Sequence, residues 1–273
     1  MINILFFKLG AFFYFIGAMT YLTYILVLKE ILSQIAATVV FIGFGLHTLA
    51  LIARYVEAGY TPVTNLYESF SFFAWMIMGV LLMVNQRHKV KVLGAFLSPI
   101  ALLFMIFGLA LPQEIIPIAP VLKSFWHPFH VFFAFLGNAV FTLAFCCGVM
   151  YLIQEHLLKS QKVGSISKRL PSLQVLDDLN YQSLVFGFPL LTLGIITGAI
   201  WAEYAWGRYW AWDPKETWSL ITWFLYAALL HQRLTVGWRG RRAALMAIVG
   251  FLAILFTFLG VNYLLPGIHS YLK

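Results

Sequence analysis

The chain has 273 residues, of which 62% are hydrophobic and only 10% are charged, and its formal net charge is +8. A soluble domain carries about a quarter charged residues, so this composition excludes a soluble globular protein and predicts a polytopic membrane protein. The basic residues are scattered over loops between apolar segments, where they face anionic lipid, and this distribution argues against nucleic acid as a partner.

Eight segments are apolar enough to cross a membrane as helices of roughly 20 residues. They are residues 4–28, 33–53, 67–85, 92–111, 126–156, 180–202, 217–235 and 243–265. The first is too long for the apolar region of a typical cleaved signal peptide, and no small-residue cleavage site follows it. Because no linker divides the chain, we expect a single integral membrane domain over residues 1–273, an all-α bundle of about eight transmembrane helices.

The distribution of basic residues predicts the orientation of this bundle. With both termini on the outer side, twelve of the 18 Lys and Arg residues fall in cytoplasmic loops and six fall outside. Cytoplasmic loops of membrane proteins are enriched in Lys and Arg. We therefore expect both termini on the outer, periplasmic or lumenal, side.

Two histidines lie within the apolar spans, where an ionisable side chain is costly and typical of a functional site. His47 lies in the outer half of the second span, and His231 lies near the cytoplasmic end of the seventh. For each of them, the alternative is a neutral imidazole hydrogen-bonded to a neighbouring helix. Their different depths indicate that they do not ligate the same metal ion.

The connection between the sixth and seventh spans is unusually rich in tryptophan. We name residues 201–218 the tryptophan loop. Four indole rings fall within twelve residues, at Trp201, Trp206, Trp210 and Trp212. An interfacial aromatic belt, the alternative, needs only one or two rings at each helix end. The segment therefore predicts a flat aromatic surface for a large planar ligand. Asp213 and Glu216 form either an acid–base pair or a pinned, salt-bridged turn before the next helix.

Three further histidines share the expected outer face with the tryptophan loop. His127 and His130 open the fifth span, and His269 follows the last one. A six-coordinate haem iron takes two axial ligands on opposite faces of one plane. Two separated histidine sites with aromatic rings between them provide that geometry, whereas phosphate-loop, serine-hydrolase and zinc-helix motifs are absent from the sequence.

Several motifs together carry a family resemblance. The run Trp206-Gly-Arg-Tyr-Trp210-Ala-Trp212-Asp213-Pro-Lys-Glu216 resembles the Trp-Gly-x-x-Trp-x-Trp-Asp-x-x-Glu signature of the haem-handling WWD proteins. Further matches are Leu46-His47-Thr-Leu, Asn65-Leu-Tyr-Glu68, Trp126-x-x-x-His130-Val, Leu230-His231-Gln-Arg, Gly237-Trp-Arg-Gly-Arg-Arg242, Val261-Asn262-Tyr and His269-Ser-Tyr. From about Phe44 to the C-terminus the chain resembles the CcsA (ResC) family, the integral membrane half of the System II cytochrome c synthetase.

The resemblance implies a haem b cofactor and a set of residues that bind it. It implies that His130 and His269 are outer ligands of the iron and that His231 is a ligand within the membrane. It assigns Trp206, Trp210, Trp212 and Asp213 of the tryptophan loop to haem binding. His47, within a shared motif, joins the candidate cofactor-binding residues. The family pattern has no histidine at His127, so either member of the pair faces the iron, and we favour His130.

The resemblance also implies a function, a location and partners. The expected function is to export haem, to present it on the outer face and to attach it to apocytochrome c, as a subunit of a cytochrome c haem lyase. The expected location is a bacterial inner membrane or a thylakoid-type membrane. Expected partners are a CcsB/ResB-like membrane subunit, which supplies the other intramembrane ligand, an apocytochrome c with a Cys-x-x-Cys-His motif, and membrane lipid. The alternatives are a System I-like subunit that loads a haem chaperone and a small-molecule transporter, although transporter-type repeats are not evident.

Overall fold

The computed structural model describes residues 2–27, 29–88, 90–160, 169–265 and 267. Within these ranges the regular structure is entirely helical, as expected of an all-α protein. The α-helices are α1 Ile2–Val27, α2 Glu30–Ala58, α3 Leu66–His88, α4 Gly94–Leu109, α5 Trp126–Lys159, α6 Leu173–Trp206, α7 Pro214–His231, α8 Arg241–Leu255 and α9 Val261–Leu264. Two π-helical turns, Gln232–Val236 and Phe256–Gly260, continue α7 and α8.

Among the described residues, seven helical segments are long and apolar enough to cross a membrane. They match seven of the eight predicted spans, and α8, its π turn and α9 together form the last of them. The predicted span 217–235 coincides with α7 and its π turn. This segment is helical but less apolar than the others, because its first turn carries Lys215 and Glu216. The chain is thus a polytopic helical membrane protein, and the orientation of its termini stays a prediction.

Two compact units make up the chain. Unit 1 comprises Met1–Ile118 and Leu157–Pro171, and unit 2 comprises Ala119–His156 and Ser172–Lys273. The organisation of residues 1–273 as one domain stays a prediction.

In unit 1, α1 packs closely along α2. A Cβ atom on Gly17 would lie 2.5 Å from the Val40 side chain, and one on Gly43 would lie 2.8 Å from the Tyr14 ring. At separations this short the facing side chain would have to shift, so glycine at these two positions makes room for Val40 and Tyr14 where the two helices meet. Close backbone approach at small residues is the usual way in which helices associate within a membrane.

A buried ion pair fixes one end of unit 1. The Arg54 guanidinium lies 3.0 Å from the Glu68 carboxylate, and both side chains are almost completely buried. Arg54 also donates to the carbonyl oxygens of Gln113 and Glu114, while Glu68 accepts from the backbone and the hydroxyl of Thr64. A buried ion pair is tolerated when such additional bonds satisfy its remaining donors and acceptors. The pair thus connects the end of α2 to the start of α3 and to the segment that follows α4.

In unit 2, the first half of α5 lies directly against α6. A Cβ atom on Gly137 would be 3.0 Å from the backbone nitrogen of Leu191, and one on Gly194 would be 3.0 Å from the backbone of Ala134. This contact brings the N-terminal end of α5, which holds His127 and His130, beside the C-terminal part of α6, from which the tryptophan loop emerges.

Candidate functional site

Only residues 207–213 of the tryptophan loop lie between helices, because Trp201 and Trp206 belong to the end of α6 and residues 214–218 belong to α7. α6 stops at Gly207, which adopts a left-handed conformation with φ of 70° and donates its N–H to the Glu203 carbonyl. α7 begins with a capping box, in which the Asp213 side chain accepts from the first turn and the Glu216 carboxylate accepts from the backbone of Ala211 and Asp213. Both carboxylates therefore accept hydrogen bonds from the backbone, as in the pinned turn that was one of the two alternatives.

The backbone of the tryptophan loop is strained at one position. Trp212 has a φ of 57°, and it is the one residue other than glycine with a positive φ in the described part of the chain. A residue other than glycine in this conformation costs about 1–3 kcal/mol. The ring of Trp212 is nevertheless 69% exposed, so its own packing contributes little against that cost. The capping box directly after it holds the strained conformation.

The four indoles between positions 201 and 212 form two edge-to-face pairs. The rings of Trp201 and Trp206 have centroids 4.9 Å apart and planes inclined by 61°, and those of Trp210 and Trp212 are 5.9 Å apart and inclined by 85°. The expectation of one flat surface is therefore wrong. The Trp210 indole N–H is buried and has no hydrogen-bond acceptor among the described residues. An unsatisfied buried donor costs about 1–3 kcal/mol, which a ligand with an acceptor atom would relieve.

Two histidines at the start of α5 lie against the same indole. The Trp201 ring is 4.9 Å from the His127 ring and 5.9 Å from the His130 ring, and it lies nearly parallel to the latter, at 20°. Trp201 is buried and its N–H donates to the Val121 carbonyl at 3.0 Å. Trp201 is therefore the member of the tryptophan loop that contacts the histidine pair, and it also contacts the Trp206 ring.

The two histidines differ in what they offer to a ligand. His127 is buried, with 5% of its surface exposed, whereas His130 is half-buried. The Nδ1 atom of His130 lies 2.7 Å from the carbonyl oxygen of Gly194. A carbonyl oxygen only accepts, so Nδ1 carries the proton and the lone pair of the ring is on Nε2. His130 therefore has the tautomer that a metal ligand bonded through Nε2 requires.

A crevice opens at the start of α5, where Trp126 is one of its lining residues. Its volume is about 750 Å³, and it lies between the segment 120–126 and the last turn of α6 at Tyr204 and Ala205. Its walls combine aromatic rings, such as that of Trp126, with the polar side chains of Lys123 and Ser124. The crevice is open and has both apolar and polar walls, so it suits a ligand that has both apolar and polar parts.

The first turn of α7 also carries a cationic side chain, Lys215, next to the capping residue Asp213. Lys215 precedes the predicted span, and its burial lowers the pKa of the ammonium group to about 8, an effect that the Asp213 carboxylate offsets in part.

His269 lies outside the described residues, and its role stays a prediction. Gly267, which the structure does describe, lies against the cap of α7. A Cβ atom on Gly267 would be 2.6 Å from the Asp213 carboxylate. Gly267, two residues before His269 in the sequence, therefore lies at the tryptophan loop.

His231 and His47 have opposite surroundings. His231 is the last residue of α7 and is exposed, in line with the exposed side chains of Phe224 and Ala228 on the same helix face. Its ring forms no hydrogen bond with any described residue. The alternative for His231, a neutral imidazole hydrogen-bonded to a neighbouring helix, is therefore not found among these residues. His47, in unit 1, is fully buried, and its Nε2 atom lies 2.9 Å from the Ser71 hydroxyl on α3. This is the arrangement that the structural alternative predicted for His47.

The fold and the site together define a multi-pass membrane protein with a histidine and tryptophan site in one of its two units. Residues 63–269 match the family model described as cytochrome C assembly protein. The chain belongs to this family and, within it, to the CcsA (ResC) group of cytochrome c biogenesis proteins, as the motifs predicted. It is therefore a multi-pass integral membrane protein of bacterial or thylakoid-type membranes.

Individual relatives match over most of their length. The chain is 39% identical over 259 residues to the cytochrome c biogenesis protein CcsA of Guillardia theta, with 85% of this chain and 86% of the relative covered. It is also 39% identical to the CcsA protein of Synechococcus elongatus, with 80% and 81% covered. Among solved structures, the cytochrome c heme lyase CcmF has a TM-score of 0.69 at 20% identity, over 94% of this chain and 46% of that one. At that identity the likeness shows the fold alone.

Proposed function

We propose that this chain holds haem b on its outer face and presents it to apocytochrome c, as the membrane subunit of a System II cytochrome c synthetase. The observation that carries the proposal is the hydrogen bond from His130 Nδ1 to the Gly194 carbonyl, which leaves Nε2 as a ligand atom beside the tryptophan loop. Histidines that bind metals commonly donate their second ring N–H to a carbonyl or carboxylate in this way.

The residues of the tryptophan loop suit an amphipathic, planar substrate. The exposed Trp212 ring offers an aromatic face, and the buried Trp210 N–H lacks an acceptor, which a carboxylate or carbonyl of the substrate would supply. Each aromatic pair of good geometry contributes about 0.5–1.5 kcal/mol beyond its area burial. When bound, haem supplies the vinyl groups to which the thiols of the Cys-x-x-Cys-His motif add.

We propose His269 as the second outer ligand. The position of Gly267 beside Asp213 supports this, because Gly267 precedes His269 by only two residues in the sequence. In this arrangement His130 and His269 bind from two elements that are distant in sequence, and the tryptophan loop lies between them. One edge of the substrate is then left open for the thiols of the apocytochrome.

His231 supports a second, intramembrane site completed by a partner. An exposed imidazole on an otherwise apolar helix face is costly within a membrane unless another polar group engages it. A CcsB/ResB-like subunit whose own histidine faces His231 would supply that group. We therefore expect His231→Ala to lower the haem content of the complex while leaving the unfolding temperature of the chain unchanged, because the ring has no partner within the described chain. An unchanged haem content would remove His231 from the ligand set.

The experiment that tests the outer site is a ligand-replacement assay. The chain is expressed with its partner subunit and an apocytochrome reporter, and covalent haem on the reporter is measured. His130→Ala is expected to abolish attachment, and added imidazole to restore part of it, because free imidazole fits the cavity that the removed ring leaves. His156→Ala, an exposed position at the other end of the same helix, serves as the control. Wild-type attachment by His130→Ala would refute the assignment, and loss in His127→Ala alone would transfer it to that residue.

A further inference from the structure

His130 lies in a notch on α6 that only glycine provides. A Cβ atom on Gly198 would come within 2.6 Å of His130 Nδ1 and 2.8 Å of its Cε1 atom. One helical turn earlier, the Gly194 carbonyl accepts the bond from the same Nδ1 atom at 2.7 Å. The two glycines thus fix the ring in different ways: Gly198 leaves space for it, and the backbone oxygen of Gly194 accepts its hydrogen bond.

Other close contacts between α5 and α6 are of a different kind. At Gly137 and Gly194 the atoms that an added Cβ would meet belong mainly to the backbone of the facing helix, so those glycines set the distance between the helices. At Gly198 the three nearest atoms are all in the His130 ring. Substitution at Gly198 therefore displaces the ring rather than the helix.

We propose that Gly198 is a positioning residue for haem ligation, which acts by holding His130 against the Gly194 carbonyl with Nε2 presented as the ligand atom. The inference rests on the proposed function, because it assumes that His130 binds the iron. Trp201, whose ring lies nearly parallel to that of His130 at 5.9 Å, restricts the ring further. With alanine at position 198, the ring must rotate away, and both the bond to Gly194 and the direction of Nε2 are lost.

The test compares four variants of the full chain, each purified with its partner subunit: Gly198→Ala, Gly137→Ala, His130→Ala and the double variant Gly198→Ala/His130→Ala. Each is titrated with ferrous haem b, and the optical spectrum gives the affinity and the coordination number, with and without imidazole. Loss of an orienting partner typically weakens metal binding by roughly ten- to a hundredfold. We expect a loss of that size for Gly198→Ala at the outer site, accompanied by a five-coordinate component of the spectrum that imidazole converts to a six-coordinate one.

The controls separate positioning from packing. Gly137→Ala adds the same methyl group between the same two helices away from His130, and we expect it to keep the wild-type spectrum. In the double variant the displaced ring is absent, so its haem binding in imidazole should equal that of His130→Ala. A lower value there, or equal losses in Gly198→Ala and Gly137→Ala, would mean that Gly198 serves helix packing only. If Gly137→Ala does not accumulate, the double variant alone still distinguishes a positioning role of Gly198 from a role in helix packing.

Two further outcomes distinguish the inference from the function on which it rests. A wild-type spectrum for Gly198→Ala, together with loss of ligation in His130→Ala, would overturn the positioning role and leave the proposed function intact. A His130→Ala complex that binds as much six-coordinate haem as the wild type without imidazole would overturn the proposed function itself.

Discussion

At the scale of single residues, the site combines local strain with unsatisfied polar groups. Trp212 has a left-handed backbone and an exposed ring, and the Trp210 N–H is buried without an acceptor among the described residues. Neither feature stabilises the isolated chain. Unfavourable features of this kind collect where a ligand compensates for them.

The strain at Trp212 gives a prediction about stability and binding together. Glycine adopts a positive φ without steric cost. We therefore expect Trp212→Gly to raise the free energy of unfolding by about 1 kcal/mol, or to leave it unchanged, while it lowers haem content. Thermal unfolding in detergent and a pyridine haemochrome assay measure the two effects. Trp212→Asn, which also tolerates this conformation, is the control for loss of the ring alone. A clear loss of stability in both variants would show that the Trp212 ring packs more than its exposure indicates.

At the scale of the element, the start of α7 depends on its capping box. Asparagine caps a helix about as well as aspartate, whereas alanine costs about 1 kcal/mol. We expect Asp213→Asn to keep the unfolding temperature and most of the haem attachment, and Asp213→Ala to lower both. If Asp213→Asn kept its stability and its haem content but lost attachment, the carboxylate would have a chemical role rather than a structural one.

The end of α7 is held by a buried ion pair in unit 2. The guanidinium of Arg233, in the π turn after His231, donates to both carboxylate oxygens of Asp177, at 2.7 and 2.6 Å. Asp177 also accepts from the backbone of Gly240. The pair therefore joins the turn that follows His231 to the first part of α6.

Removal of one member of this pair leaves an uncompensated buried charge. Such changes cost about 3–5 kcal/mol, whereas replacement of both members by apolar residues is often neutral. We expect Arg233→Met and Asp177→Leu each to reduce the amount of folded protein strongly, and the double variant to recover it, as measured by size-exclusion chromatography. Arg241→Met, at a more exposed ion pair with Glu155, is the control and is expected to have little effect. Equal losses in the single and double variants would show that the hydrogen bonds of Asp177 to the backbone dominate.

At the scale of the whole molecule, the sequence predicts the helices well because apolar length is a local property. Each of the eight predicted spans coincides with a helical segment, and seven of these segments are long and apolar enough to cross a membrane. The exception is the span 217–235, where α7 begins with the charged residues Lys215 and Glu216. The notch at Gly198 was not predicted, because it depends on which face of α6 meets α5. A glycine pair at positions 194 and 198 is a visible signal, but it is equally typical of ordinary helix packing. The inclination of the indole rings likewise depends on tertiary contacts.

The orientation of the bundle is a prediction that belongs to this scale. Both native cysteines, Cys146 and Cys147, are buried, so the background of surface labelling is low. A cysteine that replaces Lys123 is expected to react with a membrane-impermeant maleimide in intact cells, and one that replaces Arg87 only after lysis. The reverse pattern would invert the topology and place the tryptophan loop on the cytoplasmic side.

The most direct test of the central claim is the optical spectrum of the purified complex. We predict a reduced, six-coordinate b-type haem in the wild-type protein. We also predict that His130→Ala loses a substantial part of this signal and that imidazole restores it. A wild-type complex without haem, or a His130→Ala spectrum identical to that of the wild type, would contradict the account of this chain as a haem-presenting protein.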